Sequence, residues 1–402
     1  MTPIRVLFHV THLRRGGGIE ASLLSWLHVL DRTRFTPALS IAFPTDELEL
    51  LFLPRLPSDV TVYVLGTPWL SYTRRLKMAG ALRWPGRIYE ELLLPQIRKR
   101  VFRNRIARIA CNCDLIIDYD MSLVRFAGGF GKPLIGISHF RFPKRADCKP
   151  SKYRALLHYY HRYDAIVAIC DAMRDGGIRL FPTLAARFVT MYPGFDSAEI
   201  LRRAAEIDES VPQRPYLIAV TRLEETQKDV TTLLHAYAQV VRTQRIDEQL
   251  LIVGHGRHQV QLEALAASLG IANRTQFRGF TPNPLPLIRQ ARLLVLSSRF
   301  EGLPTVLIEG LMLRQVMVST DCPTGPAEIL NYGRAGLLVP IGDVEAMARA
   351  IVQALREPGT RQRLVQEAER YSALFDLPAF RARFLTLMER LCLAKNASKL
   401  DK

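Results

Sequence analysis

The chain has 402 residues, 48% of them apolar, enough for two packed α/β domains of ordinary size and too many for one simple core. Its 55 basic against 38 acidic side chains leave a formal charge of +17, which calls for an anionic partner: nucleic acid, an acidic membrane surface or a phosphorylated substrate. The six cysteines are scattered without C-x-x-C spacing, which argues against a zinc or dithiol motif, and no apolar run approaches the ~18–20 residues of a spanning helix. A reduced, cytosolic protein with no signal peptide is expected, because Met1 leads directly into a strand-like run.

In chain order, residues 6–10 read as a strand, 14–18 as a glycine-bearing turn and 20–30 as a periodic helix, the first βα unit of a Rossmann-like half. Further strands are predicted at 38–42, 60–65, 115–117, 134–137 and 165–169, so residues 1–202 form one parallel sheet covered on both faces. Residues 203–215 turn polar and carry Pro212 and Pro215, as a connector does. A second series follows, with strands at 216–220, 250–253, 275–277, 293–296, 316–319 and 337–339. Helices begin near Asp229, Arg257, Pro284, Pro304, Gly325 and Asp343, making residues 212–371 a second Rossmann-like domain. An amphipathic helix over about 372–395 is predicted to pack back on the first domain. The fold class is α/β, with two Rossmann-like domains facing a central cleft.

Residues 297–310 (S-S-R-F-E-G-L-P-T-V-L-I-E-G) follow a buried strand and enter a helix whose first turn contains Pro304. Ligands of doubly wound sheets bind at that carboxyl edge, and free N–H groups of a helix's first turn accept anions. Glu301 lies in the loop and Glu309 about a turn and a half into the helix, so the two carboxylates can hold different hydroxyls of one ligand. Alone, each glutamate reads equally as a solvated residue at a helix entry. Together, this stretch resembles the E-x7-E signature of family 4 retaining glycosyltransferases, which have the GT-B fold. The resemblance implies that Glu301 holds the donor sugar, Glu309 the ribose, and the backbone of Gly302, Leu303, Thr305 and Val306 the sugar and phosphates.

Upstream, residues 220–229 (V-T-R-L-E-E-T-Q-K-D) resemble the family's G-R-L…K segment, with Thr221 where glycine is common. Arg222 and Lys228 can absorb the charge of a leaving diphosphate without a metal. Residues 251–256 (L-I-V-G-H-G) and 278–280 (R-G-F) stand where the family has its base-binding wall, implying nucleotide contacts at Gly254 and Phe280. Residues 319–330 resemble bacterial members that build lipopolysaccharide or other lipid-linked glycans; Cys322 within them receives no role. In the first half, Gly17 and Gly18 resemble the family's glycine loop, and His139, after the predicted strand 134–137, is implied to touch the transferred sugar. Asp118 and Asp120 form a D-x-D triplet, which suggests a metal-bound diphosphate in the other major transferase fold. Here it reads as a strand-end loop, with no metal and no cofactor expected.

Residues 74–108 carry eleven Arg or Lys against Glu90 and Glu91, interleaved with large apolar side chains. This composition fits docking on an anionic membrane, and equally a basic face over a packed helix. Nucleic acid is not expected, because no recognition motif accompanies the charge. The resemblance implies a retaining transfer from a nucleotide-sugar, UDP-sugar favoured over GDP-mannose, to a lipid-linked glycan on the inner face of the cell membrane. A sugar-nucleotide epimerase, a soluble glucan synthase and a membrane-bound scaffold with a degenerate cleft stay open as alternatives.

Overall fold

The computed structural model describes residues 3–13, 18–45, 48–67, 69–72, 76, 83–139, 142–143, 145–209 and 211–400. It divides into two compact units, the first formed by Met1–Gly194 with Phe380–Lys402 and the second by Phe195–Ala379.

The first unit holds a seven-stranded sheet in the order β3-β2-β1-β4-β5-β6-β7, every pair parallel. Its strands are β1 (Ile4–Val10), β2 (Phe35–Ile41), β3 (Thr61–Val64), β4 (Leu115–Asp118), β5 (Leu134–Ser138), β6 (Ala165–Ala168) and β7 (Phe188–Thr190). β4, β5 and β6 are buried at every residue, the pattern of strands covered on both faces. The three-residue β7 was not expected from the sequence. Trp26 of the first helix meets Phe380 and Phe384 at centroid distances of 4.6 and 5.8 Å, and Phe384 reaches Phe35 at 5.4 Å. These rings seat the last helix, Leu377–Leu400, in the first unit from Phe380 onward.

The second unit holds six parallel strands in the order β10-β9-β8-β11-β12-β13. They are β8 (Tyr216–Val220), β9 (Gln249–Val253), β10 (Thr275–Phe277), β11 (Leu293–Leu296), β12 (Met317–Thr320) and β13 (Leu337–Val339). In both sheets the order reverses beside the unit's first strand, between β1 and β4 and between β8 and β11, which is where such sheets open a crevice at their carboxyl ends.

The boundary falls between Gly194 and Phe195, ahead of the polar stretch expected to be the connector. The reason is the Ser197–Ala204 helix. Asp196 caps it by accepting from the Glu199 amide, it buries Ile200 and Ala204, and it packs on the Leu285–Gln290 and Thr305–Met312 helices of the second unit.

The basic segment divides its side chains between two faces. Leu94, Arg98, Phe102, Ile106 and Ala110 recur every fourth residue along the Leu94–Cys111 helix and are buried. Arg98 is itself structural, forming a bidentate pair with the buried Glu90 at 2.5 and 2.8 Å and donating to the Leu70 carbonyl. Outward, Trp84, Leu92 and Leu93 are 73, 69 and 57% exposed. Of the remainder of residues 74–108, Arg74, Arg75 and Lys77 through Leu82 lie outside the described residues.

Candidate functional site

The site grows from the carboxyl ends of β8 and β11. After β8 the chain makes a single helical turn, Glu225–Lys228, and Asp229 then takes a left-handed conformation (φ 48°) that ends it. Glu225 holds the break by accepting from the Val230 and Thr231 amides, which caps the Val230–Gln244 helix. Asp229 is buried and bonded to Arg299 at 3.0 Å and to Thr232 at 2.9 Å. Arg299 also donates its amide to the Gln227 carbonyl, so the two loops are tied together on either side of Lys228.

The result is a buried ion pair. Lys228 Nζ stands 2.5 Å from Glu301 Oε1, with the two side chains 12 and 7% exposed. Ser298 Oγ donates to the same oxygen at 2.5 Å, and Gln227 Nε2 reaches Oε2 at 3.4 Å. Gln227 in turn accepts from Arg222 Nη2 at 2.9 Å. Arg222, Lys228 and Glu301, singled out in the sequence, are thereby joined in one network. Gln227 and Ser298, which connect them, were not foreseen.

The loop from Gly302 to Pro304 leads into the Thr305–Met312 helix, whose first residue has no side-chain cap. Leu307, Ile308 and Leu311 anchor the helix in the core. Gly302, Leu303, Thr305 and Val306 stay partly exposed. Thr324 Oγ1 donates to the Glu301 carbonyl, and Gly325 (φ 88°) packs so tightly that a Cβ there would lie 2.5 Å from the Gly302 oxygen. Residues 319–330 thus brace the glutamate loop. Beside them Cys322 is inert as a thiol: burial, then the nearby Glu301 charge, pushes its pKa up to about 12.

Glu309 is partly buried, and its carboxylate accepts no hydrogen bond among the described residues. Burial pushes its pKa up to about 7 from the usual 4.5, and the charge of Arg203 only partly opposes this. A partly exposed carboxylate raised toward neutrality, on the helix that begins beside Glu301, is chemically able to accept hydroxyl donors.

The neighbouring wall is built from the ends of β9 and β10. Gly254 and Gly279 form an isolated antiparallel bridge, and the half-exposed Phe280 ring sits edge-on to His255 at 5.9 Å. Gly254 has φ 138°, and a Cβ on it would lie 1.9 Å from the Thr221 carbonyl oxygen, next to Arg222. Gly254→Ala is therefore expected to cost roughly 2–4 kcal/mol, from backbone strain plus displacement of the Thr221–Arg222 strand end. The check is a urea melt, in which the midpoint falls while the slope holds.

In the first unit, Gly18 opens the Gly18–Val29 helix, and Gly17 lies outside the described residues. His139 follows β5 directly. Its Nε2 lies 2.8 Å from the Tyr119 carbonyl oxygen, and burial lowers its pKa to about 4, so the ring is neutral at pH 7 and suited to hydrogen bonding. The Asp118–Asp120 triplet is structural. Asp118 accepts from the Ser122 and Leu123 amides and from Tyr163 Oη at 2.6 Å, while Asp120 accepts from the Thr11 amide and from Ser122 Oγ. Burial raises Asp118 to about 8. Among the described residues no cluster of three or more His, Cys, Asp or Glu could hold a metal ion.

Residues 202–371 match the family of glycosyl transferases group 1. Over 294 residues the chain is 28% identical to the alpha-D-kanosaminyltransferase of Streptomyces kanamyceticus, covering 67% of this chain and 74% of that protein. Over 214 residues it is 28% identical to the lipopolysaccharide core biosynthesis glycosyltransferase LpsE of Rhizobium meliloti, covering 53% of this chain and 60% of that one. Among solved structures, Anabaena Alr3699/HepE in complex with UDP superposes with a TM-score of 0.73 at 18% identity, over 96% of this chain and 100% of that one. That likeness is one of fold, the GT-B arrangement of two Rossmann-like domains expected from the sequence.

Proposed function

We propose, from the premise that this chain is a glycosyltransferase whose residues 202–371 belong to the group 1 glycosyl transferases, that it moves a sugar from a UDP-sugar to a lipid-linked glycan with retention of configuration. The observation that carries the reading is the buried Lys228–Glu301 pair, extended through Gln227 to Arg222. A diphosphate brings negative charge that Lys228 and Arg222 can share, which loosens Lys228 from Glu301 and frees that carboxylate to accept from the sugar hydroxyls. Glu309 accepts from the ribose diol, and Phe280 with the Gly254 turn lines the base. These cations supply the charge stabilisation that a divalent ion supplies elsewhere, so transfer proceeds in excess EDTA. His139 positions the transferred sugar as a neutral hydrogen-bonding ring.

UDP as the nucleotude product is consistent with the same fold carrying UDP in the Anabaena protein, and a lipid-linked acceptor with the lipopolysaccharide-core relative. The decisive experiment follows label from UDP-sugars into organic-extractable lipid, with GDP-mannose as the comparison. Label that appears only in water-soluble polymer, or an epimerised donor without acceptor, would overturn the assignment.

No helix among the described residues is long and apolar enough to cross a membrane. The acceptor is reached instead through the exposed Trp84, Ile88, Leu92 and Leu93, rimmed by Arg83, Arg87, Lys99 and Arg100. Apolar anchors within a basic rim bind anionic lipid at the interface. Sedimentation with phosphatidylglycerol vesicles is expected to exceed that with phosphatidylcholine. Leu92→Ser with Leu93→Ser should weaken it roughly tenfold through lost apolar burial, without altering UDP binding.

A further inference from the structure

We propose that the first unit carries a pocket for an oxyanion substituent, phosphate or carboxylate, on the acceptor sugar. A cavity of about 230 Å³ opens at the carboxyl ends of β4 and β5, lined by Arg125, Lys152, Tyr160, Phe142, His139 and Asp120 among others. Arg125 ends the Leu123–Arg125 turn, and Lys152 lies on the Pro150–Tyr160 helix that packs against that turn. Neither cation has a hydrogen bond or salt bridge among the described residues. The one carboxylate in the lining does not answer them, because one Asp120 oxygen accepts from the Thr11 amide after β1 and the other from Ser122 Oγ, with His9 also close in charge.

Both side chains are exposed at the cavity, and an anion seated there can accept from both. Tyr160 and Phe142 add aromatic surface for the C–H face of a sugar ring, and His139 places the cavity beside the group assigned to the transferred sugar. The pocket therefore selects an acceptor residue that is acidic or phosphorylated. This inference rests on the acceptor binding to the first unit.

The test uses the whole protein and three probes, glucose, glucuronate and glucose 6-phosphate, titrated by ligand-detected NMR in the presence of UDP. One or both anionic probes should bind roughly tenfold more tightly than glucose, the worth of one charge-assisted hydrogen bond. A gain confined to glucuronate assigns a uronic acid, and one confined to glucose 6-phosphate assigns a phosphorylated sugar. Arg125→Gln with Lys152→Gln should abolish the gain, whereas Arg242→Gln with Arg363→Gln, which removes two exposed cations in the second unit, should keep it. Equal affinities for all three probes, a gain that survives the first double variant, or one lost equally in the second would overturn the pocket. Because UDP binding is followed in the same samples, its loss or absence would instead speak against the donor reading.

Discussion

Replacing Lys228 with methionine is expected to lower turnover by roughly 10²–10³-fold, the range seen when one preorganised electrostatic donor is removed from a transition state. The substitution also strands Glu301 as a buried charge, since Ser298 and Gln227 are then its remaining partners. Breaking a buried pair in this way costs about 3 kcal/mol. That is a fraction of the roughly 5–15 kcal/mol by which folded proteins are held, so the variant stays folded at 25 °C and its loss of turnover is chemical. Glu301→Gln paired with Lys228→Met separates the two effects. The double variant loses the unpaired charge and recovers most of the melting temperature, yet transfer stays low, because neither the cation for the diphosphate nor the carboxylate for the sugar is restored. Recovery of turnover together with stability would make the pair a structural clamp and remove it from the mechanism. The measurements are kcat for transfer and the thermal midpoint of each variant.

The central strands were legible because parallel strands covered on both faces are continuous apolar runs; residues 293–296, for example, are all buried, whereas the edge strands Thr61–Val64 and Thr275–Phe277 are marked by their place in the βα alternation. β7 (Phe188–Thr190) escaped because it follows the Pro182–Arg187 helical turns directly, with no intervening turn residues to mark where a strand starts. The unit boundary escaped for a different reason. Polarity marks a solvated stretch, but the Ser197–Ala204 helix preceding it is committed to the second unit by only two buried side chains, Ile200 and Ala204. In the candidate site, glycine spacing and the paired glutamates marked loops at strand ends, since strand ends and helix entries are written in local sequence. Gln227 and Ser298 were invisible because a polar side chain's partner is set by folding: Gln227 meets Glu301 across 74 residues of chain. The basic segment gave an ambiguous signal because it is in fact double, with Arg98 buried against Glu90 inside a run of exposed cations.

Glu309 carries a pH signature near neutrality. With a pKa near 7, its carboxylate is mostly protonated at pH 6 and mostly ionised at pH 8. The ionised form accepts from both ribose hydroxyls, so nucleoside affinity should rise by about tenfold across that interval and level off above it. Uridine is the probe of choice, because it carries no phosphate to titrate in the same range. The same group acts on stability in the opposite sense. Between about 4.5 and 7 the folded protein holds a proton that the unfolded chain has released, so stability falls as pH rises through that window, and the whole cost remains above it. Allowing for its partial exposure, that cost is on the order of 2 kcal/mol. Glu309→Gln should therefore melt a few degrees higher than the wild type at pH 8, bind uridine at least tenfold more weakly there, and show no pH dependence of binding between 6 and 8. A variant that kept the pH-dependent rise would place the titrating group elsewhere and free Glu309 from the ribose. If instead both changes appear together, the site tolerates a destabilising carboxylate because only its charged form holds the donor.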